Sequence, residues 1–163
     1  MESYGESEPE GGNMPQNPPE GYTRVTPYLY YKDSAAALDF LTTAFGFTEK
    51  VRMPDEAGGV SHAEIELGDG VVMFGSPGKG YKNPKELGVA TQNVYVYVDD
   101  VDAHYEHAKA AGAEIVREPE DQFYGDRSYG ATDPEGHEWY FATHVREVSP
   151  EEMQAAMAGA EAG

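Results

Sequence analysis

The sequence predicts an α+β fold built from two tandem copies of one βαβββ unit. The copies show as a repeat at an offset of 67 residues, at which Tyr28 matches Tyr95. Tyr30 matches Tyr97 at the same offset. In both copies a β-rich run of alternating character leads into an Ala-rich stretch with helical periodicity. A strand followed by a helix is therefore predicted twice, in the same order.

Each predicted helix has a recognisable beginning and end. Asp33 and Asp100 stand where an N-cap carboxylate accepts from the first free backbone amides, and Gly46 and Gly112 stand where a helix stops. One face of each helix is apolar and should pack on a sheet. The apolar stripe residues are Ala37, Leu38, Leu41 and Phe45 in the first helix and Val101, Tyr105 and Ala108 in the second.

Three more strands follow each helix and complete the two units. Their predicted bounds are 47–53, 60–67 and 71–75 in the first unit and 113–117, 127–132 and 138–143 in the second. Gly68-Asp69-Gly70 and Asp133-Pro134-Glu135-Gly136 supply the turns before the last strand of each unit.

The chain divides into a tail, one folded domain and a short helix. Residues 1–21 are rich in Glu, Pro and Gly and contain no Lys or Arg, which predicts a disordered acidic tail. A Ser-Pro pair at 149–150 predicts the start of a helix. The predicted segments are a domain at 22–148, with modules at about 22–75 and 91–148 and a linker at 76–90, and a helix at 149–163 whose end, 158–163, frays.

Composition limits the possible partners. The 163 residues include 11 basic and 30 acidic side chains, a net charge of −19, and no Cys. Such a surface repels phosphate backbones and anionic lipids, so we expect no nucleic-acid or membrane partner and a neutral or cationic ligand. Thiolate chemistry is excluded. The amino terminus has neither a positive start nor an apolar stretch, which predicts a cytoplasmic protein.

Taken together, these segments resemble the vicinal oxygen chelate superfamily of glyoxalases, bleomycin-resistance proteins and dioxygenases, and within it the PhnB-like branch. The resemblance rests on the order of these motifs within a duplicated βαβββ pattern rather than on any single motif. The segments are Thr26-Pro27-Tyr28-Leu29, Ala44-Phe45-Gly46-Phe47, His62-Ala63-Glu64, Val98-Asp99-Asp100-Val101-Asp102-Ala103, Asp121-Gln122-Phe123-Tyr124-Gly125-Asp126-Arg127, Asp133-Pro134-Glu135-Gly136-His137 and Ala142-Thr143-His144 with Ser149-Pro150-Glu151-Glu152.

The resemblance implies curved mixed sheets around a ligand cavity, usually in a homodimer. In metal-dependent members, one His, Gln or Glu ligand comes from the first and last strand of each module. Counting from the N-cap Asp residues and the turn glycines carries these positions onto Thr26, Phe74, Asn93 and Tyr140. None of the four is a standard ligand for a hard divalent ion. We therefore expect no metal and no other cofactor.

Strand alternation predicts which side chains line the cavity. Val94, Val96 and Val98 fall on one face of their strand and suit a core, whereas the intervening residues are amphipathic. These rings either fill a closed interior or line a wet pocket, and converging hydroxyls without partners favour the pocket. The predicted ligand-binding residues are Thr26, Tyr28, Tyr30, Phe74, Asn93, Tyr95, Tyr97, Arg127, Glu138 and Tyr140. Arg127 either holds an anionic group of the ligand or pairs with a neighbouring Asp.

Two kinds of function fit this pattern. The favoured hypothesis is a metal-free protein that binds a small molecule and sequesters it, as bleomycin-resistance proteins do. The alternative is a lyase, isomerase or dioxygenase-like enzyme that uses a relocated divalent metal, or acid–base catalysis by Glu138 or His62. A purely structural role is the third possibility. Of the other histidines, His104 and His107 are expected on a solvated helix face, and His137 and His144 as hydrogen-bonding residues.

Overall fold

The structure is a computed structural model that describes residues 14–161. The strands and helices are β1 Tyr28–Tyr30, α1 Ser34–Thr43, β2 Thr48–Pro54, β3 Val60–Leu67, β4 Gly70–Gly75, α2 Pro84–Leu87, β5 Asn93–Tyr97, α3 Val101–Ala110, β6 Glu114–Asp121, β7 Asp126–Thr132, β8 Glu138–His144 and α4 Pro150–Glu161. Across these residues, every helix is too short or too polar to cross a bilayer.

The strands form two four-stranded sheets of identical topology, as the sequence repeat predicts. Their orders are β1-β4-β3-β2 and β5-β8-β7-β6. In each sheet the first strand is parallel to the last one of its module, and the other pairs are antiparallel. The predicted α+β fold of two βαβββ modules is therefore confirmed.

The helix signals act as the sequence predicts. The carboxylate of Asp33 accepts from the Ala36 amide at 3.0 Å. Asp100 accepts from Ala103 at 3.1 Å. Gly46, with a φ of 77°, follows α1 by a few residues and leads the chain back toward the sheet. Local chemistry thus determines where α1 and α3 begin and where the chain turns after them.

Several boundaries differ from those predicted. Strand β6 runs to Asp121, four residues further than expected, and the linker contains the short helix α2. Asn83 starts α2 in a reciprocal capping box with Glu86. Helix α4 spans Pro150–Glu161. Most of the predicted tail, 1–13, and the last two residues lie outside the described part of the chain.

The helix-covered sides of both sheets share one hydrophobic core. Phe45, just after α1, is fully buried and its ring lies 4.8 Å from that of Phe141 and 5.7 Å from that of Trp139, both in β8. Val94 and Val96 of β5 pack on the same cluster, as their alternation predicts. Because this core joins the modules, it fixes the position of the opposite, outward-facing side of each sheet.

The turn before β8 is a second connection between the modules. Asp133 is buried and accepts from the Tyr31 hydroxyl at 2.6 Å and the Trp139 indole at 3.1 Å. It also accepts from the backbone amides of Glu135 and His137, at 3.0 and 3.1 Å. Burial raises the pKa of this carboxyl. Tyr31 belongs to the first module, so the turn fastens one module to the other.

Three histidines also bridge the modules. His107 is exposed, as expected, whereas His104 is half-buried between the modules, which corrects the expectation of a solvated face for that residue. The Nε2 atoms of His104 and His107 lie 2.8 and 2.7 Å from the carbonyls of Phe45 and Thr43. They thus satisfy free carbonyls just beyond and at the end of α1. His137 bonds the Tyr30 carbonyl at 2.8 Å. Burial lowers the pKa of His104, which favours its neutral form.

Candidate functional site

Each module presents a tyrosine-bearing face on the side of its sheet away from the core. The first face carries Tyr28 and Tyr30 of β1, and the second face carries Tyr95 and Tyr97 of β5, all of them exposed. In β5 the exposed tyrosines alternate with half-buried valines. Strand pairing adds Tyr140 of β8 beside Tyr95. These positions follow the alternation seen in the sequence.

A buried carboxylate organises the second face. Asp126, at the start of β7, is 2% exposed and accepts from Tyr95 at 2.7 Å and Tyr97 at 2.9 Å. Its other oxygen lies 2.7 Å from His144 Nδ1. Burial by itself would raise the pKa of Asp126, but the hydrogen bonds from Tyr95, His144 and Tyr97 outweigh it and lower this pKa. Asp126 therefore stays ionised and holds both tyrosine hydroxyls on one acceptor.

The His144–Asp126 pair predicts a pH dependence of stability. The hydrogen bond to Asp126 raises the pKa of His144 above its ordinary value. A raised folded-state pKa gives stabilisation that is complete below the unfolded pKa, about 6.5, and is lost as the pH rises through the folded-state pKa. Thermal melts across pH 5 to 9 should show this loss in the parent protein and not in His144→Gln. Parallel pH profiles for the two proteins would contradict the assignment.

An arginine and a glycine shape the rest of the second face. The Arg117 guanidinium of β6 lies 5.1 Å from the centre of the Tyr140 ring and donates to Ser128 at 2.6 Å. Gly130 of β7 lies beneath that ring, where a Cβ would come within 2.6 Å of Tyr140 Cε1. Glycine is thus the residue that lets Tyr140 lie flat on the sheet. The second face is therefore aromatic, with the Arg117 guanidinium at its edge.

The first face carries a different set of polar groups. The Tyr28 hydroxyl lies 2.9 Å from His62 Nδ1, and His62 Nε2 lies 2.9 Å from the Glu64 carboxylate. Glu64 is buried and also accepts from the Tyr22 hydroxyl. Lys50 places its ammonium 4.8 Å from the centre of the Tyr22 ring. His62 and Glu64 are two residues apart in β3, so they lie on the same face of the sheet, where they are hydrogen-bonded to each other.

The structure brings the predicted tyrosines together within each module. Among residues 14–161, the ring of Tyr28 contacts Tyr30 and His62, and the ring of Tyr95 contacts Tyr97. A groove of about 300 Å³ between the modules touches Tyr95 and Tyr97, but its other walls are the core side of β5 and residues of the first module. A groove of about 260 Å³ touches Tyr28 and Tyr30, and its other walls are the linker and His137. Each module thus has its own aromatic surface.

Two predicted ligand-binding residues do not lie on these faces. Phe74 is fully buried beside Leu29 on the core side, and Met73 occupies the position that pairs with Tyr28. The prediction was wrong by one residue because Gly70 already belongs to β4, whereas Gly136 precedes β8. Arg127 points to the helix side.

The contacts of the remaining predicted residues are as follows. Arg127 pairs with Asp102 of α3 at 3.1 Å and with Asp121 at 3.2 Å, which occupies it in ion pairs rather than with a ligand. Thr26 precedes β1 and its hydroxyl donates to the Thr23 carbonyl. Asn93 and Glu138 are strand partners at the far end of the second face.

The positions that the family uses for a metal do not fit one here. Thr26, Asn93 and Tyr140 offer hydroxyl or amide groups, and neither Phe74 nor its corrected replacement Met73 is a ligand for a hard ion. Across 14–161, no three His, Asp or Glu side chains come together in a metal-binding group. Metal coordination is not the chemistry these positions provide.

Sequence reasoning expected His144 to make hydrogen bonds, which it does, but it missed Asp126 as its partner, although a register argument brings the two together. Antiparallel pairing of β7 with β8 places Thr132 opposite Glu138 and Asp126 opposite His144. Counting outward from the Asp133 turn therefore puts both on the face that carries Tyr140. The prediction began β7 one residue late and so left Asp126 in a loop.

Comparison with known proteins identifies the family. Residues 22–141 match the family model described as the glyoxalase/bleomycin resistance protein/dioxygenase superfamily. The chain belongs to this superfamily. It is 37% identical over 138 residues to an uncharacterized protein of Mycobacterium bovis, covering 82% of this chain and 91% of that one.

Solved structures agree with this assignment. TioX from Micromonospora sp. ML1 is 37% identical, with a TM-score of 0.62 over 74% of this chain and 98% of its own. A family member from Burkholderia phytofirmans PsJN shares the fold at 18% identity, with a TM-score of 0.56 over 74% of this chain and 97% of its own. The finer resemblance to the PhnB-like branch stays a prediction.

Proposed function

We propose that this protein binds a small planar molecule on its tyrosine faces and sequesters it without a metal. The observation that carries the proposal is the second face, where Asp126 holds the hydroxyls of Tyr95 and Tyr97 while their rings remain 40% and 61% exposed. Large aromatic rings left open to water are typical of surfaces that bind something.

The geometry favours binding because it reduces the entropy that binding costs. A tyrosine whose hydroxyl is already held on Asp126 has few rotamers left to lose when a ligand stacks on it. The rings lie edge to face, with centroids 5.5 Å apart, and offer two differently inclined surfaces. The net charge of −19 favours a neutral or cationic ligand over an anionic one.

The proposal includes a cytoplasmic homodimer. Strands β2 and β6 each end their sheet with no hydrogen-bonded neighbour on one side within residues 14–161, and such open edges are commonly covered by a second copy of the chain. Light scattering at micromolar concentration should give twice the chain mass of 17.8 kDa. A monomer under these conditions would remove this part of the proposal.

Two measurements test the metal-free binding protein directly. Elemental analysis of protein purified without chelator should show less than stoichiometric metal, and titration with Zn²⁺, Mn²⁺ or Ni²⁺ in a calorimeter should give no saturable heat. A thermal-shift screen of planar aromatic compounds, neutral, cationic and anionic, should raise Tm with neutral or cationic members. Stoichiometric metal bound near the tyrosines would end the proposal.

Substitutions in β5 separate binding from folding. Tyr95→Ala should weaken binding of a screening hit by about tenfold or more, because removing a stacking ring usually costs about 1 to 3 kcal/mol. Val96→Ala is the matched control from the core side of the strand. It should lower the free energy of unfolding by about 1 kcal/mol and leave affinity nearly unchanged. The reverse pattern would mean that the ligand meets the other face.

A further inference from the structure

The first face contains a hydrogen-bonded row that the binding function does not require. It runs from the Tyr28 hydroxyl to His62 Nδ1 at 2.9 Å, and from His62 Nε2 to the Glu64 carboxylate at 2.9 Å. Tyr28 is 45% exposed whereas Glu64 is 6% exposed. The row thus begins at a half-exposed tyrosine and ends on a buried carboxylate.

The partners decide the direction of each hydrogen bond in the row. An ionised carboxylate only accepts, so the proton of neutral His62 lies on Nε2 and points to Glu64. Glu64 accepts from the Tyr22 hydroxyl as well, which gives it a second donor. His62 Nδ1 therefore holds a lone pair that faces the Tyr28 hydroxyl. A hydroxyl, an imidazole that accepts from it and a carboxylate that orients the imidazole make up a general-base arrangement.

The repeat shows that this row is specific to the first module. By strand pairing, the second module has Ser128 where the first has His62 and Gly130 where the first has Glu64. Tyr95 instead donates directly to the carboxylate of Asp126. A proton that leaves Tyr28 has an imidazole to accept it, and one that leaves Tyr95 does not.

The backbone beside Tyr28 is shaped to receive its hydroxyl. A Cβ at Gly75 would lie 2.7 Å from Tyr28 Oη and 2.8 Å from the Ser61 carbonyl. Glycine at this place in β4 therefore allows the hydroxyl to lie over the sheet next to His62.

We propose that Tyr28, His62 and Glu64 form a general-base assembly that makes the Tyr28 hydroxyl a nucleophile toward small activated acyl compounds, an activity separate from ligand sequestration. In the step, the phenol oxygen forms a bond to the acyl carbon, and the leaving group departs with the electron pair of the bond that breaks. The phenol proton passes to His62 Nδ1 and then to the leaving group. The product is an aryl ester on Tyr28.

The phenol remains protonated until the reaction. Partial burial and the nearby Tyr30 and Glu64 raise the pKa of Tyr28, so phenolate is scarce near neutral pH. The hydroxyl of a Ser-His-Asp triad is likewise protonated in the resting state and loses its proton to the imidazole as the bond forms. Glu64 then stabilises the imidazolium that appears on His62.

Acetylation by p-nitrophenyl acetate tests this proposal on the full chain. Peptide mapping by mass spectrometry after a short reaction at pH 7.5 should show an added acetyl group on Tyr28 at least tenfold faster than on Tyr97, although Tyr97 is the more exposed ring. His62→Gln should slow acetylation of Tyr28 on the order of 100-fold, the usual range for loss of a general base. His107→Gln, which removes an imidazole from the module contact, is the matched control and should leave the rate unchanged.

The pH profile separates a general base from a merely structural histidine. In the parent protein the rate at Tyr28 should level off with rising pH once the imidazole is free to accept the phenol proton. In His62→Gln it should keep rising with pH, because only ionisation of the phenol, whose pKa is raised, then supplies the nucleophile. Equal rates at Tyr28 and Tyr97 in the parent protein would overturn the proposal without any variant. So would an unchanged rate and profile in a folded His62→Gln.

Discussion

Replacing Asp133 with alanine is expected to lower the free energy of unfolding by about 3 to 5 kcal/mol, because it leaves several buried donors without an acceptor. Asp133 is 5% exposed and accepts from Tyr31, Trp139 and two backbone amides. Alanine supplies no oxygen to any of them. Urea unfolding followed by tryptophan fluorescence measures the change, since Trp139 is the single tryptophan.

Two comparisons give this prediction its controls. Asp39→Ala removes an exposed carboxylate from α1 and should change stability by less than about 0.5 kcal/mol. Tyr31→Phe removes one donor and spares the turn, so it should cost about 1 to 2 kcal/mol. Similar losses for Asp133→Ala and Asp39→Ala would show that the turn does not fasten the modules together.

Replacing Asp126 with alanine is expected to affect stability and binding together. Three donors, from Tyr95, Tyr97 and His144, lose their shared acceptor, which should lower the free energy of unfolding by about 2 to 4 kcal/mol. The two rings are then free to adopt other rotamers. A ligand that stacks on them should bind about tenfold more weakly, as calorimetry with a thermal-shift hit measures.

Tyr97→Phe is the matched variant for this prediction. It keeps the ring and removes a single hydrogen bond to Asp126, so it should cost about 1 kcal/mol and affect binding little. Full affinity in a folded Asp126→Ala protein would mean that ring orientation does not matter for the ligand. The orientation of the Tyr95 and Tyr97 rings by Asp126 would then no longer support the proposed function.

The features that the sequence predicted well depend on local chemistry or on the period of a strand. Asp33 and Asp100 cap helices because a carboxylate beside free amides needs no distant partner. The alternation in β5 separates Tyr95 from Val96 because successive side chains point to opposite faces of any strand. Because the two modules are copies of one unit, the helix starts and strand faces predicted in one module also applied to the other.

Only the tertiary structure decided the register between strands and the contacts between modules. Met73 rather than Phe74 stands beside Tyr28 because a one-residue difference in where a strand begins moves every side chain to the opposite face. Arg127 lies on the helix side of β7 and pairs with Asp102 because it is adjacent to Asp126, and adjacent residues of a strand point to opposite faces.

The tertiary structure likewise decided which hydroxyls the carboxylates of the site accept from. Asp126 and Tyr95 are 31 residues apart, and Asp133 and Tyr31 are 102 apart. A hydrogen bond over such separations depends on how sheets and modules pack, which no local pattern encodes. The residue types, the helix ends and the alternating faces were therefore determined by the sequence alone, and the carboxylates that hold the tyrosines were determined by the fold, because buried polar groups must find partners wherever packing places them.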